Sequence, residues 1–210
     1  MSIAGLEGRP VAVLLGGVSA EREVSLQSGA TAAGALRSLG CEVREVDPAQ
    51  TDWIAQLSGV GFAFNALHGP GGEDGTMQGA LQALGVPYSG SGVLGSALAM
   101  DKLRSKQLWG GIGLSTAGFV TLDEDTDWVE VIERFGKVFV KPACEGSSLG
   151  MAPADSPAAL ERAWREARDY SGPVLAEQFI DGPEYTVAIL GDEALPAIRL
   201  ETGNEFYDYE

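Results

Sequence analysis

The sequence predicts a mixed α/β protein, with a parallel βαβ domain followed by an α+β domain whose last strands are antiparallel. Three observations support this fold class. Val11–Leu15 is apolar at every position, as in a strand of a parallel sheet that is covered on both faces. Apolar runs alternate with helical spacing up to about residue 90, which is typical of βαβ units. From residue 174 onward, strand-like runs follow one another closely with turn residues between them, which indicates an antiparallel sheet.

The composition narrows the class of protein. Apolar residues make up 45% of the 210 residues, enough for a packed core. The net charge of −16 repels phosphate backbones and anionic membranes, so we expect neither a nucleic-acid nor a membrane partner. Two cysteines without metal-type spacing and a single histidine exclude a disulfide scaffold and a zinc cluster. They favour a reducing compartment, the cytoplasm.

The first part of the chain alternates strands and helices. The predicted elements are strand 11–15, helix 25–39, strand 41–47, strand 61–67, helix 74–84 and strand 86–90. Gly40 and Gly85 follow the two helices, as glycine commonly does where a helix ends. The run 11–18 is short, contains two glycines and precedes charged residues, so we interpret it as a buried strand and not as a signal core.

The second part of the chain has a different pattern of predicted helices and strands, and we expect a domain boundary near residues 90–95. The predicted elements are helix 94–109, strand 115–122, helix 125–135, strand 137–141, a helix from Pro157, and strands 174–180, 184–190 and 194–200. Ser156 suits the N-cap of the helix that begins at Pro157. The apolar stripe of that helix is Leu160, Ala163, Trp164, Ala167 and Tyr170. We predict domains at 1–93 and 94–180, with the first strands of a third domain at 181–210.

Two glycine-rich segments follow predicted strands of the parallel sheet, where such sheets bind ligands. GGVSAEREVS (16–25) lacks GxGxxG spacing, and its acids suit recognition of an ammonium group; from spacing alone, an exposed charged first turn is the better interpretation. LHGPGGEDGTMQG (67–79) places the only histidine at a strand end, before four glycines and two acids within the next seven residues. This pattern favours close approach of a ligand over an elaborate strand-to-helix turn.

Two further segments suit a nucleotide. FVKPACEGSSLG (139–150) has its lysine before the glycines, unlike GxxxxGK[ST]. A lysine at a strand end with a flap rich in N–H groups can cover a triphosphate, although a glycine-rich hairpin connection explains the segment equally well. LAEQFIDGPEYTVA (175–188) has two interpretations. It is either a plain two-stranded meander or an edge strand whose backbone binds an adenine, with a carboxylate that binds the ribose hydroxyls.

Taken in order, these four segments and YSGSGVLGSALAMDKLRSKQLW (88–109) resemble the D-alanine–D-alanine ligases, which have the ATP-grasp fold. The resemblance runs from residue 11 to the last residue. It implies that the parallel domain is the pre-ATP-grasp, substrate-binding domain and that an ATP-grasp domain follows. It also implies ATP-dependent ligation of two D-alanines through an acyl phosphate. That reaction supplies a peptidoglycan precursor for cell wall biogenesis and cell shape.

The resemblance also implies roles for individual residues on the substrate side. Glu21 corresponds to the acid that holds the ammonium group of the first D-alanine. Ser147 corresponds to its partner in a hydrogen-bonded set that orients the substrate and the flexible loop. These two are the catalytic residues that the resemblance implies. His68 corresponds to the histidine beside the first substrate, with Glu73 nearby in the same loop.

The ATP-binding residues that the resemblance implies are Lys102, Lys141, Ser148, Glu177, Ile180 and Glu184. The two lysines would contact the ATP phosphates, and this assignment requires their ammonium groups to converge. Glu177 and Ile180 would bind the adenine, and Glu184 would bind the ribose.

In the family, the pattern continues after FYDYE (206–210) with a lysine–tyrosine pair, an arginine, and the Asp, Glu and Asn ligands of Mg²⁺. ATP and Mg²⁺ are therefore the expected cofactors, with no metal ligand in this chain. We expect the 210 residues to correspond to the first two thirds of a ligase and to be inactive alone. D-alanine is the favoured second substrate, while D-lactate and D-serine stay open. A homodimer is a further expectation from the family.

Two other functions are alternatives. The first is a non-catalytic module that binds a nucleotide or D-alanine and ends naturally at Glu210. The second is an NAD-dependent oxidoreductase, which the parallel sheet alone suggests and which the absence of GxGxxG argues against.

Overall fold

The computed structural model describes residues 8–146, 149–170 and 172–201. The chain divides into two compact units, unit 1 up to Gly111 and unit 2 from Ile112 onward. Each unit has a hydrophobic core of its own. Within the described ranges, no helix is both long enough and apolar enough to cross a membrane.

Unit 1 is built on a three-stranded parallel sheet of order β2-β1-β3. Its elements are β1 (Val11–Leu14), α1 (Arg22–Ser38), β2 (Val43–Val46), α2 (Trp53–Gln56), β3 (Phe62–Asn65), α3 (Thr76–Ala83), α4 (Val93–Met100) and α5 (Lys102–Gly111). The parallel sheet predicted for this part of the chain is confirmed.

Successive side chains of β1 point to opposite faces of the sheet, and both faces are covered. On one face, Val13 packs in a cluster with Ala33 of α1. On the other face, Leu14 packs in a cluster with Met77 and Leu81 of α3. The uniformly apolar β1 is therefore explained by helices on both sides, as predicted.

Unit 1 differs from the prediction in three places. The helix predicted at 94–109 is two helices, because Asp101 has an extended backbone and its Oδ1 accepts a hydrogen bond from the N–H of Arg104 at 3.0 Å. Asp101 thus begins a new helix. The strand predicted at 86–90 is reduced to one isolated bridge between Ala63 and Tyr88. The short helix α2 was not predicted.

Unit 2 contains a four-stranded antiparallel sheet of order β4-β7-β5-β6 and two small antiparallel pairs, β8 with β11 and β9 with β10. Its elements are β4 (Phe119–Leu122), α6 (Trp128–Phe135), β5 (Val138–Pro142), β6 (Ala152–Ala154), α7 (Pro157–Ala167), β7 (Val174–Gln178), β8 (Glu184–Thr186), β9 (Ile189–Leu190), β10 (Glu193–Ala194) and β11 (Ile198–Leu200).

Helices α6 and α7 cover one face of this sheet. Val138 and Val140 of β5 are completely buried in the cluster beneath them. Trp128 of α6 and Trp164 of α7 join the helices, with ring centroids 5.5 Å apart. Phe139, between these valines, and Lys141, after them, face the opposite side of the sheet.

The predicted elements of unit 2 need four corrections. Tyr170 does not belong to the apolar stripe of α7: the helix ends at Ala167, and Tyr170 is 39% exposed. Ser156 stands at the N-cap, but its side chain makes no cap hydrogen bond. Strand β6 was not predicted; it contains Pro153, which is tolerated because β6 is at the edge of the sheet. The two last predicted strands are each broken in two.

Gly29 of α1 makes possible the close packing of α1 on β1. A Cβ added at Gly29 would lie 2.3 Å from the Cβ of Leu15, whereas a Cβ at Gly34 of the same helix would meet nothing within 4 Å. We therefore expect Gly29→Ala to lower the free energy of unfolding by about 1–3 kcal/mol. Gly34→Ala, the matched control, should raise it by about 0.5–1 kcal/mol. Urea denaturation followed by circular dichroism measures both. Equal stability of the two variants would contradict tight packing at Gly29.

Candidate functional site

Three loops meet where the parallel strands of unit 1 end. Ser25 joins two of them: its buried hydroxyl accepts a hydrogen bond from the N–H of Gly16, after β1, and donates to the carbonyl of Ala66, after β3, at 2.9 and 2.7 Å. Ser19 Oγ donates to the carbonyl of His68 at 2.8 Å. We call residues 16–21 (the first loop), residues 67–76 (the second loop) and Asp47 together the loop site. The two glycine-rich segments that the sequence presents separately are thus parts of one surface.

Arg22 and Asp47 hold the first of these loops. The guanidinium of Arg22 donates to both carboxylate oxygens of Asp47, at 2.6 and 3.2 Å, and to the carbonyl of Gly17 at 2.6 Å. Asp47 also accepts from the N–H groups of Gly17 and Ala49. The hydrogen bond from Arg22 lowers the pKa of Asp47 to about 2. The charge of Arg22 is therefore balanced by the carboxylate of Asp47.

Asp47 was not among the predicted site residues. Its position directly after a parallel strand is the signal that could have identified it.

Glu21 lies against the second loop. It occupies the N-cap position of α1, and its backbone N–H donates to Ser19 Oγ at 3.2 Å. A Cβ added at Gly69 would be only 2.6 Å from Glu21 Oε2, and Gly69 has a positive φ of 68°. Only glycine therefore allows the Glu21 carboxylate to approach the backbone of this loop so closely.

His68 lies between a hydroxyl and a carboxylate. Its Nε2 is 3.3 Å from Ser28 Oγ of α1, and its Nδ1 is 3.6 Å from Glu73 Oε1. The structure thus brings together Glu21, His68 and Glu73, the three residues that the resemblance assigns to the first substrate. Ser28 was not predicted, because a serine within a helix carries no motif.

The two adjacent acids of the second loop have different environments. Asp74 accepts hydrogen bonds from the N–H groups of Gly71 and Thr76, at 2.8 and 2.9 Å. Although burial acts in the opposite direction, these bonds lower the pKa of Asp74. Asp74 shapes the turn into α3, whereas the exposed Glu73 is the acid that approaches His68.

A small cavity separates the first loop from the second. It has a volume of about 60 Å³ and is lined by residues of both loops together with Pro48 and Met77. A cavity of this size holds a group of a few heavy atoms. The cavity therefore suits a small group. Glu21 and Glu73, the acids that suit an ammonium group, do not line the cavity, but they lie next to its lining residues Ser19 and His68.

In unit 2, charged and aromatic side chains share the sheet face that α6 and α7 leave uncovered. Lys141 Nζ lies 2.5 Å from Glu177 Oε2, and the two side chains are 24% and 19% exposed. Phe139 and Phe179 are stacked with ring centroids 6.3 Å apart, and Lys137 Nζ lies 4.0 Å from the centroid of Phe179. We call these five residues the cation–aromatic face. It can accept a ligand that combines a flat ring with negative charge.

The remaining predicted site residues are dispersed. Lys102 is the first residue of α5 in unit 1 and is half-buried, so its predicted convergence with Lys141 of unit 2 stays a prediction. Ile180 is 66% exposed after β7, and Glu184 begins the exposed strand β8. Ser147 and Ser148 lie outside the described residues.

No cluster of three or more His, Cys, Asp or Glu side chains suited to a metal ion occurs in the part of the chain that the structure describes.

Two family models match the chain. One, described as the D-Ala D-Ala ligase N-terminus, matches residues 40–91, and the other, described as the D-Ala D-Ala ligase C-terminus, matches residues 108–210. D-alanine–D-alanine ligase B of Chromobacterium violaceum is 51% identical over 203 residues, which are 95% of this chain and 67% of the relative. D-alanine–D-alanine ligase of Alkalilimnicola ehrlichii is 56% identical over 201 residues, which are 95% of this chain and 64% of the relative.

Solved structures of proteins with the same name also match this chain. D-alanine–D-alanine ligase of Bacillus anthracis superposes with a TM-score of 0.86 at 34% identity, over 96% of this chain and 67% of the other. The same enzyme complexed with ATP superposes with a TM-score of 0.84 at 31% identity, over 94% of this chain and 68% of the other. The chain thus spans about two thirds of the length of the relatives that it matches, 64–67% in the two curated ones above.

The Arg22–Asp47 pair makes a testable contribution to stability. Because the pKa of Asp47 falls from its ordinary 3.8 to about 2 on folding, the contribution is present above pH 4 and is lost as the pH falls toward 2. We expect Asp47→Asn to lower the free energy of unfolding by about 1–2 kcal/mol at pH 7. Urea denaturation at pH 7, 4 and 3 should show this difference shrinking below pH 4.

The control is Glu45→Gln on β2, which removes the exposed ion pair with Arg37. It should cost less than about 1 kcal/mol at pH 7. An Asp47→Asn effect that is the same at pH 3 as at pH 7 would contradict the charge-based explanation.

Proposed function

Because this chain belongs to the D-alanine–D-alanine ligase family, we propose that it acts in the ATP-dependent joining of two D-alanines, which supplies a peptidoglycan precursor. ATP phosphorylates the carboxylate of the first D-alanine, and the amine of the second attacks the resulting acyl phosphate. The observation that carries the proposal is the convergence of Glu21, His68 and Glu73 at the end of the parallel sheet, in a chain whose relatives are named for this reaction.

The loop site of unit 1 is the proposed site of the first D-alanine. The carboxylate of Glu21 binds the ammonium group, because a charge-assisted contact of this kind is among the stronger polar interactions. The charge of Arg22 is balanced by Asp47, so it does not oppose an incoming cation. His68 and Glu73 flank the same substrate, and Ser147 acts with Glu21 in orienting it.

The ATP-binding residues of the proposal are those that the family resemblance implies. Lys141 and Lys102 bind the phosphates, and Ser148 acts with them. Glu177 and Ile180 bind the adenine, and Glu184 binds the ribose. Support comes from the cation–aromatic face, which offers ammonium groups beside stacked rings, and from the ATP complex of the Bacillus anthracis relative.

The chemistry explains why the reaction needs these groups. A carboxylate is a poor electrophile, and phosphorylation provides it with a leaving group. The lysine ammonium groups offset the charge that develops on the transferred phosphoryl group. Exclusion of water protects the acyl phosphate from hydrolysis. Mg²⁺ is part of the proposal by family expectation, and no step is derived through it.

The cellular setting of the proposal is the cytoplasm, where D-alanine and ATP are both available. The acidic surface and the cysteine usage of the sequence support this location. A homodimer is part of the proposal by family expectation.

The substrate side is tested by Glu21→Gln. Loss of the carboxylate charge should weaken the binding of D-alanine about tenfold or more, because a hydrogen bond to a charged group contributes about 1.5–3 kcal/mol. Affinity for ATP should be unchanged. Calorimetric titration of the 210-residue chain with each ligand measures both. Glu23→Gln, an exposed acid in the same turn, is the matched control. Equal D-alanine affinity of the two variants would refute the role of Glu21.

The nucleotide side is tested by Lys141→Met. Removing this ammonium should weaken ATP binding about tenfold or more and should leave D-alanine binding unchanged. Arg165→Gln removes one positive charge from an exposed pair with Glu161 in the same unit, so it controls for net charge. The assignment fails if Lys141→Met binds ATP as well as Arg165→Gln does.

A further inference from the structure

Ser28 is a residue that neither the motifs nor the family comparison single out. It lies on α1, seven residues after Glu21, and its side chain is half-buried. Its Oγ is 3.3 Å from Nε2 of His68, while Glu73 Oε1 is 3.6 Å from Nδ1 on the other side of the ring. The imidazole thus lies between a helix hydroxyl and a loop carboxylate.

These two neighbours determine which ring nitrogen can carry the proton. A neutral imidazole has one nitrogen that donates and one that accepts. The carboxylate of Glu73, at 3.6 Å, is beyond hydrogen-bond distance of Nδ1, but its negative charge favours a proton on the nitrogen that faces it. Nε2 then needs a donor, and the hydroxyl of Ser28 can rotate to provide one. Free histidine in water prefers the opposite tautomer, so the protein environment has to reverse the preference.

We propose that Ser28 is a positioning residue, whose hydroxyl donates to Nε2 of His68 and thereby fixes the ring in the tautomer that carries its proton on Nδ1, toward Glu73. The ring so fixed is part of the D-alanine site, and in this respect the inference rests on the proposed function. Ser28 acts through His68 and does not itself touch the substrate.

The backbone and the ring of His68 both contact the segment of chain that comprises the first loop and α1. Ser19 Oγ donates to the carbonyl of His68 at 2.8 Å and accepts from the N–H of Glu21 at 3.2 Å. Ser28 adds a second connection, from α1 to the ring. The position of the ring relative to the Glu21 carboxylate therefore depends on both serines. Loss of the Ser28 hydroxyl should loosen the ring while the Ser19 connection keeps the loop in place.

The tautomer can be observed directly because the chain contains a single histidine. A long-range ¹H–¹⁵N correlation spectrum distinguishes an Nδ1-protonated, an Nε2-protonated and a charged ring. Spectra of the 210-residue chain are recorded at increasing pH until the ring signals stop moving, so that the neutral ring is observed. We expect mainly the Nδ1-protonated form.

Three variants test the role of Ser28. Ser28→Ala should move the ring toward the Nε2-protonated form and should fold, since alanine is a good helix former. Ser28→Thr keeps a hydroxyl and should retain the original tautomer. Thr31→Ala removes an exposed hydroxyl that is bonded to the carbonyl of Gln27 in the same helix, and it should change neither the tautomer nor binding.

Titration with D-alanine and with ATP completes the experiment. Ser28→Ala should bind D-alanine about threefold to tenfold more weakly, the value of one hydrogen bond, with unchanged ATP affinity. A tautomer that is identical in wild type and Ser28→Ala would overturn the proposal. A shifted tautomer with unchanged D-alanine affinity would overturn the role of Ser28 in substrate binding. If Ser28→Ala shifts the tautomer but the wild-type chain does not bind D-alanine, control of the ring by Ser28 is supported and the proposed substrate is refuted.

Discussion

Parallel pairing of β1 with both β2 and β3 places the ends of three strands side by side, with Leu14 in register with Val46 and Asn65. The chain leaves all three strands at the same edge of the sheet, so residues from distant parts of the sequence emerge as neighbours. Asp47 reaches the loop after β1 for this reason, and the carbonyl of His68 reaches Ser19. Every contact between the loops of the loop site therefore depends on this register, and the ammonium-binding geometry that we propose depends on it too.

Much of the fold could be predicted because burial imposes regular patterns on the sequence. The apolar residues at 11–15 and the alternation within β5 reflect packing on both faces and on one face of a sheet. In the helix predicted at 94–109, which is two helices in the structure, one residue decided the outcome. Asp101 has helical neighbours, but its carboxylate is bonded to the first turn of α5 and interrupts the helix. Such a cap is indistinguishable from an exposed acid in the middle of a helix until the backbone is known.

The candidate site was predictable as a set of motifs but not as a set of contacts. Glu21, His68 and Glu73 stand in recognisable segments, whereas Ser28 takes part only because α1 passes beside the His68 ring. The Lys141–Glu177 pair joins residues 36 positions apart and follows from the register of β5 against β7. Local spacing contains no information about that register. The segments that form the candidate site could therefore be predicted, but the contacts between them could not.

Gly16 has a consequence for how this sequence can diverge among its relatives. A Cβ at Gly16 would lie 2.8 Å from Arg22 Nη1 and 2.9 Å from Asp47 Oδ1, and its φ of 79° already disfavours other residues. The side chains of the arginine and the aspartate thus fill the space that a Cβ at the glycine would need. A lineage that replaces this glycine therefore has to displace the ion pair as well.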